Sequence, residues 1–152
     1  MRSRLPTIFA ALSIAIACAA NVNAANPATN EIRFEEFYTG GGAQGLKFSA
    51  AMQALAGKRV RVSGYAAPPL KAEAAFFVLQ RTPMHVCAYC NPDNDWPIDI
   101  AVVYSRDVLP TTDGTLPMTV VGTLEIGPKT DPATGFVSQI RLIDAVTEPV
   151  RR

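Results

Sequence analysis

The segment that decides the fold is Lys58-Arg-Val-Arg-Val-Ser-Gly-Tyr65, in which apolar and polar residues alternate. Val60 and Val62 fall on one face, and the polar residues between them fall on the other. Successive side chains of a strand point to opposite faces, so the alternation predicts a half-buried antiparallel strand. A glycine inside such a strand marks a bend or a bulge, and Gly64 therefore predicts one near the end of this strand.

Four later segments show strand patterns and are separated by turn signals: Ala74–Gln80, Pro97–Tyr104, Pro117–Ile126 and Phe136–Val146. The apolar residues of the last segment change parity between Ile140 and Ile143, which predicts a bulge or bend. Five consecutive strands predict a mostly β protein built as a small antiparallel barrel. Bends in the first and last strands would help the barrel close and remove its edges, as in a five-stranded OB-like barrel.

The residues before the first barrel strand predict one short N-terminal helix. Leu46 to Leu55 carries apolar residues at helical spacing. Ser49 is a residue type that caps a helix start, and Gly57 stands where a left-handed residue commonly ends one. Upstream, Glu31 to Tyr38 alternates weakly and predicts a short edge strand.

The N-terminus predicts export. Arg2 and Arg4 precede the apolar run Leu5–Ala20, and small residues allow cleavage after Ala24. This order is typical of a secretory signal peptide. The alternatives are an uncleaved anchor and a lipid attached to Cys18. We therefore expect a signal peptide over 1–24, a flexible lead-in with a possible edge strand over 25–45, and a single OB-like domain over 46–148 in the periplasm.

Charge argues against a nucleic-acid partner. The chain has 14 basic and 13 acidic residues, and cleavage after Ala24 removes two of the basic ones, Arg2 and Arg4. The mature protein then has no positive excess, and the sequence contains no block of basic residues that would follow a phosphate backbone.

One connection, between the second and third predicted barrel strands, concentrates the groups able to do chemistry. It holds the only histidine, His85, and the pair Cys87 and Cys90. Two thiols in a Cys-x-x-Cys turn form a common half of a metal site, and an imidazole completes a donor set suited to zinc or copper. Asp93 or Asp95 could supply a fourth ligand.

Two other interpretations of the cysteines stay open. In an oxidising compartment Cys87 and Cys90 can form a local disulfide that stiffens the loop of an inert structural or interaction module. A thiol–disulfide redox protein is the other, although a catalytic Cys-x-x-Cys usually begins a helix and the residues after Cys90 favour turns. No Gly-x-Ser-x-Gly motif is present, which argues against a serine hydrolase. Of the interpretations of this loop, a non-enzymatic role is favoured.

The order of these segments resembles a family of uncharacterised exported bacterial proteins, defined by a domain of unknown function. The resemblance rests on Leu55–Tyr65, Pro68-Pro69, Phe76–Leu79 and the following loop with cysteine, histidine and proline. Members look like accessories of ABC-type permease systems and show Cys-x-His where this chain has His-x-Cys. The resemblance implies an OB-like barrel, an envelope membrane-protein partner such as a permease, and a metal-related role for His85, Cys87 and Cys90.

Overall fold

The computed structural model describes residues 29–40, 45–68, 75–83, 98–106 and 113–148. Most of these residues lie in strands, as the sequence predicts. In chain order, the elements are β1 (Asn30–Glu31), a 3-10 helix (Phe34–Glu36), β2 (Tyr38–Gly40), β3 (Leu46–Phe48), α1 (Ala50–Leu55), β4 (Arg59–Ala66), β5 (Phe77–Gln80), β6 (Ile100–Ser105), β7 (Leu116–Thr130) and β8 (Val137–Glu148).

Five of these strands pair in a closed ring, in the order β4, β5, β6, β8, β7 and back to β4. The predicted all-antiparallel, five-stranded sheet is wrong in two respects. Within the described ranges the sheet has six strands, and it is mixed, because β1 lies parallel to β4 and β6 lies parallel to β8. The parallel pair follows from the ring: β7 is antiparallel to β4, so β8 returns in the direction of β6.

Strand β4 has very different neighbours on its two edges. On one edge it pairs with β7 along its whole length, from Arg59 opposite Thr123 to Ala66 opposite Leu116. On the other edge β5 reaches only the last two residues of β4. The first half of that edge is filled by β1, which places Asn30 opposite Val60. The N-terminal strand therefore adds pairs at Val60 and Arg61, which β5 does not reach.

The alternation that predicts β4 is borne out by burial. Val60 and Val62 are almost completely buried, whereas Arg59 and Ser63 are exposed. The inward residues of the other ring strands join them in one core, together with Met52 of α1. Ile32, Phe34 and Phe37, which fall in the predicted lead-in over 25–45, belong to the same core cluster. Burying these apolar side chains contributes about 1.5–3 kcal/mol each.

Strands β5 and β6 are buried on both faces. Phe77 and Leu79 face the barrel core, while a second cluster covers the outer face of the two strands. Its fully buried members are Ala67, Phe76, Val78, Ile100 and Val102, with Tyr104 and Phe136 packed against them. The apolar run of β5 is explained by this two-sided burial.

The N-terminal helix is shorter than predicted. α1 begins only at Ala50, and Leu46–Phe48 instead forms β3, which pairs with β2. Ser49 caps the helix as predicted, since its hydroxyl accepts a hydrogen bond from the Met52 N–H at 3.1 Å. The edge strand predicted over 31–38 is present only at its ends, in β1 and β2, because a 3-10 helix over Phe34–Glu36 interrupts it.

Two glycines stand where strands approach each other closely. A Cβ on Gly64 would lie 2.6 Å from the Gln80 carbonyl oxygen of β5, and one on Gly122 would lie 2.9 Å from Leu142 Cβ of β8. Opposite Gly122, β8 carries one extra residue between Ile143 and Val146, with Asp144 at φ 51°. The bulge predicted in this strand is therefore present, a few residues later than expected.

The β7–β8 hairpin is longer than predicted. β7 continues to Thr130, so the predicted loop over Gly127–Gly135 shrinks to residues 131–136. The pairing shifts by one residue between Ile126 and Lys129, where Gly127 has a φ of 102°. Such a bulge bends the strand, here in the outer part of the hairpin.

Candidate functional site

The residues predicted to bind a metal all fall in the connection between β5 and β6. His85, Cys87, Cys90, Asp93 and Asp95 lie outside the described residues, as do the predicted signal peptide over 1–24 and Cys18. Across the ranges that the structure does describe, no group of three or more histidine, cysteine, aspartate or glutamate side chains is placed to hold a metal ion. What the structure defines is the base of the connection.

At that base the two strands are held together by backbone hydrogen bonding. The β5–β6 ladder ends with Gln80 opposite Ile100. One step beyond it, the Arg81 N–H donates to the Asp99 carbonyl oxygen at 3.0 Å. The connection therefore leaves from and returns to neighbouring points on the barrel.

Charged side chains surround this base. The Arg81 guanidinium donates to Glu35 Oε1 at 3.3 Å, and its Nε lies 4.0 Å from Asp99 Oδ2. A backbone hydrogen bond and then Arg81 hold the pKa of Glu35 below its usual range. All three side chains are at least one-third exposed, so the ion pairs contribute little to stability.

Two shallow clefts flank Arg81. The first, of about 230 Å³, is lined by Phe34, Glu35, Arg81, Ile98 and Asp99. The second, of about 240 Å³, lies on the β4 and β7 side; its lining residues are Ser63, Gly64, Tyr65, Arg81, Pro117 and Met118. Arg81 therefore separates two clefts beside the base of the connection.

A second polar group, which the sequence pattern did not single out, lies on the outer part of the β7–β8 hairpin. Tyr104 of β6 donates its hydroxyl to Asp131 Oδ2 at 3.0 Å. Asp131 Oδ1 accepts from the Thr134 N–H at 2.9 Å and from the Thr134 hydroxyl at 2.7 Å. The side chain of Asp131 thus organises the turn and also joins it to β6.

The pKa values of this pair are shifted in opposite directions. Burial, and then the hydrogen bond to Asp131, raises the pKa of Tyr104 to about 12. The Thr134 hydroxyl, followed by the Thr134 N–H and Tyr104, holds the pKa of Asp131 below its usual range. At neutral pH the tyrosine is therefore a neutral donor and the aspartate a charged acceptor, which gives a charge-assisted hydrogen bond.

Arg141 is another charged residue buried in this region, with a side chain only 4% exposed. Its Nη1 donates to the carbonyl oxygens of Gly127 and Ser138 at 2.8 and 2.9 Å, and its Nε donates to Glu125 Oε2 at 3.1 Å. Burial works to raise the pKa of Glu125, but hydrogen bonds from Arg141 and Lys129 outweigh it and lower the pKa. The sequence feature that could have identified this buried arginine is its position between Ile140 and Leu142 in an apolar strand.

Among the helices in the described part of the chain, none has both the length and the apolar character to cross a membrane.

Comparison with known proteins gives one structural likeness. No protein-family model matches the chain, and no curated protein matches it. A DUF3299 family protein from Pseudomonas aeruginosa PAO1, a family named for a domain of unknown function, has a solved structure that is similar. The similarity covers 82% of this chain and 99% of that one, with 12% sequence identity and a TM-score of 0.49.

Proposed function

We propose that this chain is an exported, non-enzymatic protein that binds zinc or copper through His85, Cys87 and Cys90. Asp93 or Asp95 supplies a further ligand in this proposal. An imidazole and two thiolates suit both metals, and a fourth position is filled by a carboxylate or by water. The proposal concerns residues outside the described part, so its support comes from the donor spacing in the sequence and from the base of the connection that carries them.

The observation that supports the proposal is that both ends of the β5–β6 connection are held by the barrel. Its ends leave neighbouring antiparallel strands and are joined by the hydrogen bond from the Arg81 N–H to the Asp99 carbonyl oxygen. Ordering ligands around a metal costs conformational entropy for every residue fixed. A connection whose ends are already held by the barrel has less of this entropy left to lose, which favours metal binding by the folded chain.

We also propose that the barrel is OB-like. In the ring, β4, β5 and β6 follow one another, and β7 returns to lie beside β4, which is the order of a Greek key. β8 then closes the ring between β7 and β6. OB barrels are five-stranded Greek-key barrels that use surface loops and strand faces for binding, so a binding role suits this scaffold.

The proposed cellular role is that of a periplasmic accessory to transport. The signal peptide proposed over 1–24 would deliver the chain to the periplasm, and the partner would be an envelope membrane protein such as an ABC-type permease. Crosslinking in intact cells, followed by identification of the crosslinked chain, checks this part of the proposal. Crosslinks to periplasmic proteins alone would contradict it.

The test of metal binding is equilibrium dialysis of the reduced mature protein against zinc and against copper(I). We expect about one metal per chain, lost in the double variant Cys87→Ser/Cys90→Ser and weakened in His85→Gln, because these remove the soft ligands. Asp93→Asn and Asp95→Asn test the proposed carboxylate ligands in the same assay. Asp113→Asn is their matched control, because Asp113 is an exposed aspartate in a different loop. Undiminished metal uptake by the double cysteine variant would show the proposal to be wrong.

The mass of the protein isolated natively from the periplasm separates the proposal from its alternatives. An added metal mass supports the metal site. The loss of two hydrogens without metal points to a disulfide between Cys87 and Cys90. In that case, a thiolate that reacts with iodoacetamide at neutral pH after reduction, together with turnover of a reductant, would identify a redox protein. Absence of both would leave an interaction module.

A further inference from the structure

β5 is weakly supported by the ring of strands. It pairs with β4 at only two positions and with β6 at four, whereas β4 and β7 pair at eight. A strand with few ladder hydrogen bonds depends on the packing of its side chains. β5 is buried on both faces, so contacts on its outer face are a substantial part of what holds it.

The outer-face contacts come in part from the tip of the β7–β8 hairpin, residues 131–136. The Phe136 ring lies 5.6 Å from the Phe76 ring, and the Phe76 ring lies 5.5 Å from that of Tyr104. The Tyr104 hydroxyl donates to Asp131 Oδ2. The tip thus contacts the residue just before β5 and a residue near the end of β6, at the end of their ladder opposite the 81–99 connection.

The hairpin reaches this position because it bends. The bend lies at the bulge between Ile126 and Lys129, where Gly127 has a positive φ. The buried Arg141 donates to the Gly127 carbonyl oxygen and, on the opposite strand, to the Ser138 carbonyl oxygen. A single guanidinium therefore joins both strands of the hairpin at the bend.

From this geometry we propose that the tip 131–136 is a clamp that holds β5 and β6 against the barrel and so positions the connection between them. Phe136 and Asp131 make the contacts of the clamp, and Arg141 fixes the bend that places it. One end of the β5–β6 ladder is closed by the clamp, and the other by the bond from Arg81 to Asp99. The effect of the clamp on metal binding rests on the function proposed above; its effect on the two strands does not.

Hydrogen exchange of the full mature chain, followed by mass spectrometry, tests the clamp directly. In Phe136→Ala we expect amide exchange in Phe77–Gln80 and Ile100–Ser105 to become roughly tenfold faster. The contact between the aromatic rings of Phe136 and Phe76 no longer opposes local opening of these strands. Exchange in the paired residues of β4 and β7 stays unchanged. Val137→Ala is the matched control, since Val137 is the next residue and is half exposed.

Two further variants distinguish the clamp from a general loss of packing. Phe136→Tyr keeps the ring and restores slow exchange. Tyr104→Phe removes only the hydroxyl that reaches Asp131, and it accelerates exchange in the same two strands to a smaller extent. Equal acceleration in every strand, or no acceleration in β5 and β6, would overturn the proposal.

A metal readout then tests the link to the connection. We expect Co²⁺ bound to the thiolates, followed by its charge-transfer absorbance, to be released roughly tenfold faster from Phe136→Ala than from Phe136→Tyr. Equal release rates would overturn the positioning role even if exchange changed. If the unaltered protein binds no Co²⁺, the proposed function fails, while the exchange experiment still decides whether the clamp holds β5 and β6.

Discussion

The two hairpins of the ring, β5–β6 and β7–β8, differ in how far they are stabilised by contacts between their own two strands and within their own turn. The β7–β8 hairpin has nine paired positions and a turn in which Asp131 accepts two hydrogen bonds from Thr134. The β5–β6 hairpin has four paired positions and a connection over residues 81–99. The first can stabilise its own turn, whereas the second depends on its neighbours. The residues predicted to bind a metal thus belong to the β5–β6 hairpin, which depends on contacts with the rest of the protein.

The largest expected loss of stability comes from truncating a buried leucine in each hairpin. Leu79 of β5 and Leu124 of β7 are both completely buried in the same core. We expect Leu79→Ala and Leu124→Ala each to lower the free energy of unfolding by about 2–5 kcal/mol, because both leave a cavity. Urea denaturation measures this loss.

The comparison is sharpened by hydrogen exchange on the same two variants. Leu79→Ala should accelerate exchange chiefly in β5 and β6, and Leu124→Ala throughout the ring. Identical exchange patterns in the two variants would show that the hairpins are equally dependent on the rest of the barrel.

A smaller effect is expected at two close approaches between strands, one between β4 and the β5–β6 hairpin and the other inside the β7–β8 hairpin. In Gly64→Ala the new Cβ meets the backbone oxygen of Gln80 in β5, and in Gly122→Ala it meets Leu142 Cβ of β8. Both contacted atoms move only with their backbone, but the approach at Gly64 is the closer of the two, so we expect Gly64→Ala to cost about 1–3 kcal/mol and Gly122→Ala less. Thermal unfolding of the two variants side by side measures the difference. A larger loss in Gly122→Ala would contradict the ranking.

The smallest effect concerns the turn of the self-supporting hairpin. Asp131→Asn removes a charge that Thr134 and Tyr104 stabilise, and we expect a loss of about 1 kcal/mol at pH 7. The pKa of Asp131 is lowered in the folded protein, so its charge stabilises the fold above the unfolded pKa of about 3.9. That contribution is lost as the pH falls through the folded pKa.

Unfolding of both proteins at several pH values checks this sign. The difference in stability between the unaltered protein and Asp131→Asn should be constant from pH 5 to pH 7 and should shrink below about pH 4. A difference that grew on acidification would contradict the assignment of the lowered pKa to the folded state.

The sequence identified what depends on local periodicity. Val60 and Val62 alternate with polar residues because one face of β4 lines the core, and Ser49 caps α1 through a neighbour three residues away. The helical spacing extends back to Leu46 and Phe48, yet these two residues lie in β3, which is fixed by pairing with β2. No local pattern records such a pairing.

The remaining differences have the same origin in contacts between distant segments. The parallel pairing of β6 with β8 follows only once β7 has returned to β4. The bond between Tyr104 and Asp131 joins residues far apart in the chain. For the candidate site, residue type and spacing identified His85, Cys87 and Cys90 as possible ligands. Their arrangement could not be predicted, because the sequence of the connection has no strand or helix periodicity.

The closure of the ring has a consequence for folding rate. β4 cannot gain its longest partner until residues 116–130 are available, and the Arg59–Thr123 pair joins positions far apart in sequence. Barrels dominated by such non-local pairs have high contact order and fold slowly. Until β7 arrives, β4 has only β1 and a short stretch of β5 beside it, and one whole edge of backbone donors and acceptors is unpaired. That edge is where an incompletely folded chain is exposed to pairing with another copy.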